Sequence, residues 1–407
     1  MNAPTAFHIM AKPRGPICNL NCQYCFYLSK EALYPDSHFR MTDTLLETYT
    51  RQYIAAQQVP EVTFSWQGGE PTLMELDFFE RAIHYQQKYA RPGIQIHNTL
   101  QTNGVSLNEE WCQFFKKHNF LIGVSIDGTR EMHNAYRLNK GDEGSFDQVI
   151  RGWQLLQKYG VDSNVLCAVH KANQDSPIEL YHFLRDNLKA QFIQFIPIVE
   201  RLSQSGSQVS KRSVNPRKYG RFLNTIFDEW VRQDVGHIFV RMFDTTLGAW
   251  LQQPPGICIF APTCGSALAL EHNGDLYACD HFVEPEYYLG NIQQDPMIDL
   301  ATSPKQRQFG AAKHKTLPAF CQNCEVLFAC YGGCPKNRFS QTPEGELGLN
   351  YLCAGYKRFF KHAKRDMQRM ANLLQHGQPA AKIMLILAAE NQPNLRGNVN
   401  RARRNYP

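Results

Sequence analysis

Eleven of the thirteen cysteines in this 407-residue chain fall into two groups, and any fold must bring each group of sulfurs together. The first group is the run Cys18-Asn-Leu-Asn-Cys22-Gln-Tyr-Cys25, a C-x3-C-x2-C arrangement near the N-terminus. Three thiolates are one too few for a 4Fe-4S cubane, whose four irons are usually each held by a cysteine. One iron is then left for a ligand that is not protein, and an open metal position belongs to catalytic sites rather than structural ones. A zinc knuckle is the competing reading, but no His or fourth Cys lies nearby to complete it.

The second group runs Cys258-x5-Cys264-x14-Cys279 and Cys321-x2-Cys324-x5-Cys330-x3-Cys334-x18-Cys353. Eight cysteines suffice for two complete four-ligand sites, and the spacings alone fit zinc as well as iron-sulfur. Cys112 and Cys167 remain, inside a predicted helix and strand, as buried thiols.

Composition narrows the setting. The run Met1 to Pro16 lacks an apolar core of secretory type, so these cysteines point to metal ligation in a reducing compartment, the cytoplasm. The apolar run Ile383 to Ala389 is far shorter than the ~20 residues a membrane span needs. The formal charge is +6, yet Arg396, Arg401, Arg403 and Arg404 lie in the acid-free residues 391–407. The body is left near neutral, which argues against nucleic acid as a partner, and the tail reads as a solvated extension.

Short β-branched and aromatic runs predict strands at Phe7 to Ala11, Val62 to Trp66, Ile94 to Leu100, Phe120 to Ile126, Ser163 to Val169 and Gln191 to Ile198. Between them, helical spacing marks Thr42 to Gln57, Glu75 to Tyr89, Leu107 to His118, Phe146 to Tyr159 and Ile178 to Leu188. The alternation implies a parallel α/β sheet, and the pattern ends near residue 200, so a partial six-unit barrel fits better than a full eight-unit one. A Ser-rich stretch, residues 201–215, reads as a linker or flexible loop. A helix from about Arg217 to Arg232 and a strand at Ile238 to Phe243 follow. The resulting division is a barrel over 1–235, a cysteine-rich domain over 236–370 and a C-terminal extension over 371–407.

Polar residues and glycines collect at the predicted strand ends, where such barrels place their chemistry. Gly68-Gly69-Glu70-Pro71 offers a close backbone approach and an anion for an ammonium group. Gln101-Thr102-Asn103-Gly104 and Ser125-Ile126-Asp127-Gly128 repeat the pattern, although each is also ordinary turn chemistry. Together with the triad, these motifs resemble the radical S-adenosylmethionine (SAM) superfamily. Within it, Trp66-Gln67-Gly68-Gly69-Glu70-Pro71-Thr72, Ala278-Cys279-Asp280-His281-Phe282 and Tyr331-Gly332-Gly333-Cys334 resemble the anaerobic sulfatase-maturating enzymes over about residues 7 to 370.

That resemblance implies a partial (β/α)6 radical SAM barrel followed by a SPASM domain, with three 4Fe-4S clusters and SAM as cofactors. Cys18, Cys22 and Cys25 would hold the SAM-binding cluster. Cys258, Cys264, Cys279 and Cys334 would hold the first auxiliary cluster, and Cys321, Cys324, Cys330 and Cys353 the second. Gly69, Glu70, Ser125, Arg137, Tyr24 and Val199 would contact SAM. The implied reaction is oxygen-independent oxidation of a Cys or Ser in a sulfatase Cys/Ser-x-Pro-x-Arg motif to Cα-formylglycine, started by a 5′-deoxyadenosyl radical. Asp280 would be the base, and flavodoxin or ferredoxin the electron donor. A SPASM-type maturase installing a thioether or other crosslink is the alternative within the enzymes. A zinc-stabilised binding protein or an iron-sulfur electron carrier is the alternative outside them.

Overall fold

The computed structural model describes residues 6–203 and 206–390. The basic tail and residues 1–5, 204 and 205 lie outside the described residues. Six parallel strands run in sequence order through one sheet: β1 (His8–Lys12), β2 (Glu61–Trp66), β3 (Gln95–Thr102), β4 (Phe120–Ser125), β5 (Ser163–Val169) and β6 (Phe192–Pro197). Their crossovers carry α1 (Asp43–Ala56), α2 (Leu76–Tyr89), α3 (Glu109–Lys117), α4 (Arg130–Asn134), α5 (Phe146–Lys158) and α6 (Pro177–His182). Two of these helices, α1 and α3, begin where a side chain satisfies a free N–H group: Thr42 accepts from Leu45 N at 3.3 Å and Asn108 from Trp111 N at 3.0 Å. The last of the predicted helices ends early, at His182, where a π-type turn over Phe183–Asn187 takes over.

Each strand turns a mainly apolar face to the helices that cover it, with aromatic rings filling the layer between, while the opposite face carries polar groups such as Ser65 and Thr99, whose hydroxyls lie 2.7 Å apart. Phe64 and Trp66 of β2 pack against Tyr49 and Tyr53 of α1, and Trp66 also meets Phe78 and Phe79 of α2. The Trp66 indole N–H donates to Asn98 Oδ1 at 2.9 Å, so its polar edge is not stranded in the core.

The sheet continues past the six expected strands in both directions. A short β7 (Phe239–Val240) joins β6 in parallel, and β8 (Ala267–Glu271) pairs in parallel with the whole of β1. β9 (Asp275–Tyr277) and β10 (Tyr288–Asn291) extend that side antiparallel, giving ten strands in one sheet. The cysteine-rich region is therefore stitched to the first barrel strand, with Lys12 in register with Glu271.

Two local expectations differ from what is found. The strand predicted over Ile238 to Phe243 is cut to two residues, because Arg241–Trp250 forms a helix, α8, after α7 (Pro216–Gln233). Met242, Phe243, Thr245 and Thr246 are buried together, a helical pattern rather than an alternating one. The Ser-rich stretch, where described, folds back on the exit of β6: Arg212 pairs with Glu200 at 2.7 Å, Val214 N donates to Ile198 O at 3.0 Å, and Ser210, Ser213 and Val214 are buried.

The C-terminal half adds α9 (Met297–Ala301), α10 (Pro304–Lys315), α11 (Ala319–Gln322), α12 (Leu327–Cys330), α13 (Cys353–Gln375) and α14 (Lys382–Glu390). α13 lies directly on α7 at a glycine contact, where a Cβ on Gly355 would stand 2.4 Å from Pro216 O and one on Gly220 2.8 Å from Gly355 Cα. Among the described residues no helix is long and apolar enough to cross a membrane.

Candidate active site

The cysteine triad occupies the loop that leaves β1, and neighbouring strand ends clamp it. Gly69 N donates to Gly15 O at 2.7 Å and Glu70 N to Ile17 O at 2.9 Å, while Asn21 N and Gln23 N donate to Leu138 O and Tyr136 O at 2.8 and 2.9 Å. Gly69 must be glycine here, since a Cβ would stand 2.0 Å from Ile17 O. Donors also face the sulfurs. Leu20 N lies 3.4 Å and Asn103 Nδ2 3.5 Å from Cys18 Sγ, and Arg137 Nη1 lies 3.9 Å from Cys22 Sγ.

Glu70 is wholly buried and is spent on holding strand ends together. Its Oε1 accepts from Thr72 N at 3.1 Å, Thr72 Oγ1 at 2.7 Å and Thr102 Oγ1 at 2.8 Å, and Oε2 accepts from Asn103 N at 2.8 Å. Burial pushes its carboxyl up against the pull of these four bonds. Oε2, with one partner, retains acceptor capacity.

Ser125 is buried at the end of β4, and Arg137 and Tyr24 meet at a carboxylate that sequence reasoning passed over as a turn residue, Asp127. Asp127 Oδ2 accepts from Arg137 Nε at 2.8 Å and from the Tyr24 hydroxyl, and Oδ1 accepts from Ala168 N at 2.9 Å. His170 Nε2 lies 3.6 Å from the same Oδ2. The Arg137 guanidinium sits 5.5 Å from the Tyr24 ring centre. Burial works to raise the Asp127 carboxyl, but Arg137 and His170 overwhelm it and hold it far below the usual range. The clue available in sequence was the pairing of an acid with a downstream Arg, but nothing local distinguished this Asp-Gly from a turn. Val199 is buried just past β6, on the same C-terminal edge of the sheet.

Asp280 follows Cys279 in a short 3-10 turn and reaches β1, where its carboxylate pairs with the Lys12 ammonium. Lys12 is only 2% exposed and also lies 4.7 Å from the Tyr27 ring centre. Burial would raise the Asp280 carboxyl, but Lys12 and His281 outweigh it and keep its pKa below the usual carboxylate value. Lys12 falls just past the strand expected at Phe7 to Ala11, and no motif announces a partner so far along the chain.

All thirteen cysteines are free thiols, and the eight C-terminal ones sort in space as two sets of four. Cys258, Cys264 and Cys279 each stand within electrostatic reach of Cys334, and Cys321 and Cys324 stand within reach of both Cys330 and Cys353. The second four line one pocket with Phe320 and Lys357. Burial pushes Cys18 to about 12 and Cys22, Cys334 and Cys353 to about 11. Crowded, mostly half-buried thiols of this kind fit a cationic metal centre, which would draw off their protons.

Comparison with known proteins follows the same division. A model of the radical SAM superfamily matches residues 13–184, and one described as an iron-sulfur cluster-binding domain (SPASM) matches residues 258–325. The chain is a radical SAM protein with a SPASM domain. It is 45% identical over 394 residues to a serine-type anaerobic sulfatase-maturating enzyme of Bacteroides thetaiotaomicron, covering 93% of this chain and 95% of that protein. A cysteine-type enzyme of Clostridium novyi is 33% identical over 91% of this chain and 98% of its own. A solved structure described as native anSMEcpe with bound AdoMet and Cp18Cys peptide superposes with a TM-score of 0.82 at 32% identity, over 90% of this chain and 99% of that one. This chain belongs to the anaerobic sulfatase-maturating enzymes.

Proposed function

We propose that the protein oxidises a Ser or Cys side chain within a Cys/Ser-x-Pro-x-Arg segment of a sulfatase to Cα-formylglycine, without oxygen. The observation that carries this is likeness along nearly the full length to sulfatase-maturating enzymes, joined to an acid, Asp280, held beside Cys279 and the exit of β1. The residues fit three 4Fe-4S clusters and SAM: Cys18, Cys22 and Cys25 hold the cluster that receives SAM, and the two sets of four hold the auxiliary clusters. When bound, the first cluster and SAM supply hydrogen-atom abstraction at the target Cβ.

The chain's own residues do the rest. Gly69 lets the β2 exit lie against the triad loop, and Glu70 Oε2 is an acceptor for the SAM ammonium. Asp127 fixes Arg137 and Tyr24 in the buried wall, while Ser125 and Val199 line strand ends toward SAM. Asp280, kept ionised by Lys12, accepts the proton the substrate loses. Clusters held by the two sets of four would be the acceptor for the remaining electron. A flavodoxin or ferredoxin in the cytoplasm supplies the reducing electron.

The relative at 45% identity is serine-type and the one at 33% cysteine-type, which supports serine as the preferred target. Reconstituted, reduced protein with SAM and paired Ser and Cys peptides tests this by trapping the aldehyde. Aldehyde from the Ser peptide at the higher kcat/KM is expected. No aldehyde from either peptide, with clusters loaded and SAM cleaved, would contradict the assignment.

A further inference from the structure

Cys330 and Cys334 belong to different sets of four, and the strap between them, Tyr331-Gly332-Gly333, is the shortest covalent link between the two sites. All three strap residues are left-handed, with φ of +44°, +72° and +63°. This run is costly for Tyr331 and open to the glycines, and it needs a partner for its carbonyls. Arg338 supplies it. Arg338 Nη2 donates to Tyr331 O at 2.7 Å and Gly333 O at 3.3 Å, Nε to Gly332 O at 3.0 Å, and Nη1 to Lys313 O at 2.5 Å. Asn350 Nδ2 closes the other side, donating to Gly332 O and Cys334 O at 3.1 Å each.

The guanidinium is half-buried, and among the described residues no ion pair gives it a carboxylate. The groups beside it that can take on negative charge are cysteines of both sets, since the carbonyls it holds lie between Cys330 of one set and Cys334 of the other. A half-buried cation with no carboxylate is poorly compensated unless those sulfurs carry negative charge. A thiolate-bound cluster at each site provides that charge.

We propose that Arg338 is a positioning residue shared by the two auxiliary sites, fixing the strap that spaces them and making both clusters easier to reduce with one positive charge. The electrostatic reason is direct. Each cluster gains one negative charge on reduction, and a nearby cation in a low-dielectric setting stabilises the reduced form. The inference rests on the reading that both sets hold iron-sulfur clusters. Iron and zinc analysis of the wild-type protein tests that reading separately, so the two failures are distinguishable.

The experiment is an EPR-monitored redox titration of the full holoenzyme as wild type, Arg338→Gln and Arg338→Lys, with the triad cluster as internal reference. In Arg338→Gln both auxiliary midpoint potentials should move lower while the triad couple stays in place. Arg338→Lys, which keeps the charge, should restore both toward wild type. Unchanged potentials in iron-replete Arg338→Gln, or a shift at one auxiliary site alone, would overturn the proposal. If Arg338→Gln fails to hold iron, loss from both auxiliary sites with retention in Arg338→Lys supports the shared role. Loss from one site only, or from both sites in both variants, overturns it.

Discussion

Gly69 and Asp280 show how much a single position carries. A methyl group at Gly69 would collide with Ile17 O, so Gly69→Ala must push the triad loop away from the β2 exit. Roughly four of about twelve irons should then be lost, with the auxiliary clusters retained, as iron analysis and EPR would report. Asp280→Asn preserves shape but removes the proton acceptor, and aldehyde formation should fall by about 10²-fold or more while SAM cleavage and iron content persist. A variant with wild-type aldehyde yield would remove Asp280 from that role. At this scale the sequence was most legible where spacing is tight. Cys18, Cys22 and Cys25 announce themselves by offset, and Gly69 takes its meaning from following a strand that comes after that triad. Asp127, Lys12 and Arg338 do not, because each acts on groups that only the fold brings near: Tyr24 and Arg137 for the first, Asp280 for the second, and the 331–333 strap for the third.

Among the elements, α13 couples Cys353, a proposed cluster ligand, to the barrel. Its first residue is Cys353, and two residues on Gly355 packs against Pro216 and Gly220 of α7. Gly355→Ala should separate the helices and lower iron at the second auxiliary site, with the triad and first auxiliary signals retained in EPR. α8 yields a pH prediction. Burial pushes the Asp244 carboxyl up to about 6, with Arg241 only partly offsetting it. A raised carboxyl disfavours the folded state once ionised, so the cost is absent below the unfolded value near 4 and complete above about 6. Asp244→Asn should stabilise the protein by about 1–2 kcal/mol at pH 7–8 and by little at pH 4, as a pH series of denaturation curves would show. The six strands and five of the helices between them were readable because parallel strands are short, mainly apolar runs separated by amphipathic ones, whereas the five-residue α4 is too short to show a period. Ile238 to Phe243 misled because β-branched and aromatic residues beside a short strand also suit the first turn of a buried helix.

At the scale of the whole molecule, the pairing of β8 with β1 makes barrel and cluster domain one sheet. That pairing sets Asp280 against Lys12 and so brings the second half of the chain to the mouth of the first. Parallel pairing between residues 8–12 and 267–271 leaves no local signature in the sequence. The family resemblance, by contrast, was legible from the motifs, and full-length likeness bears it out. The most direct test of the account uses a Ser-x-Pro-x-Arg peptide deuterated at the serine Cβ, with reduced, fully loaded protein and SAM. The account predicts deuterium in the 5′-deoxyadenosine, rising in proportion to a peptide product lighter by one hydrogen and one deuterium. Deuterium-free 5′-deoxyadenosine beside an unaltered peptide would contradict it.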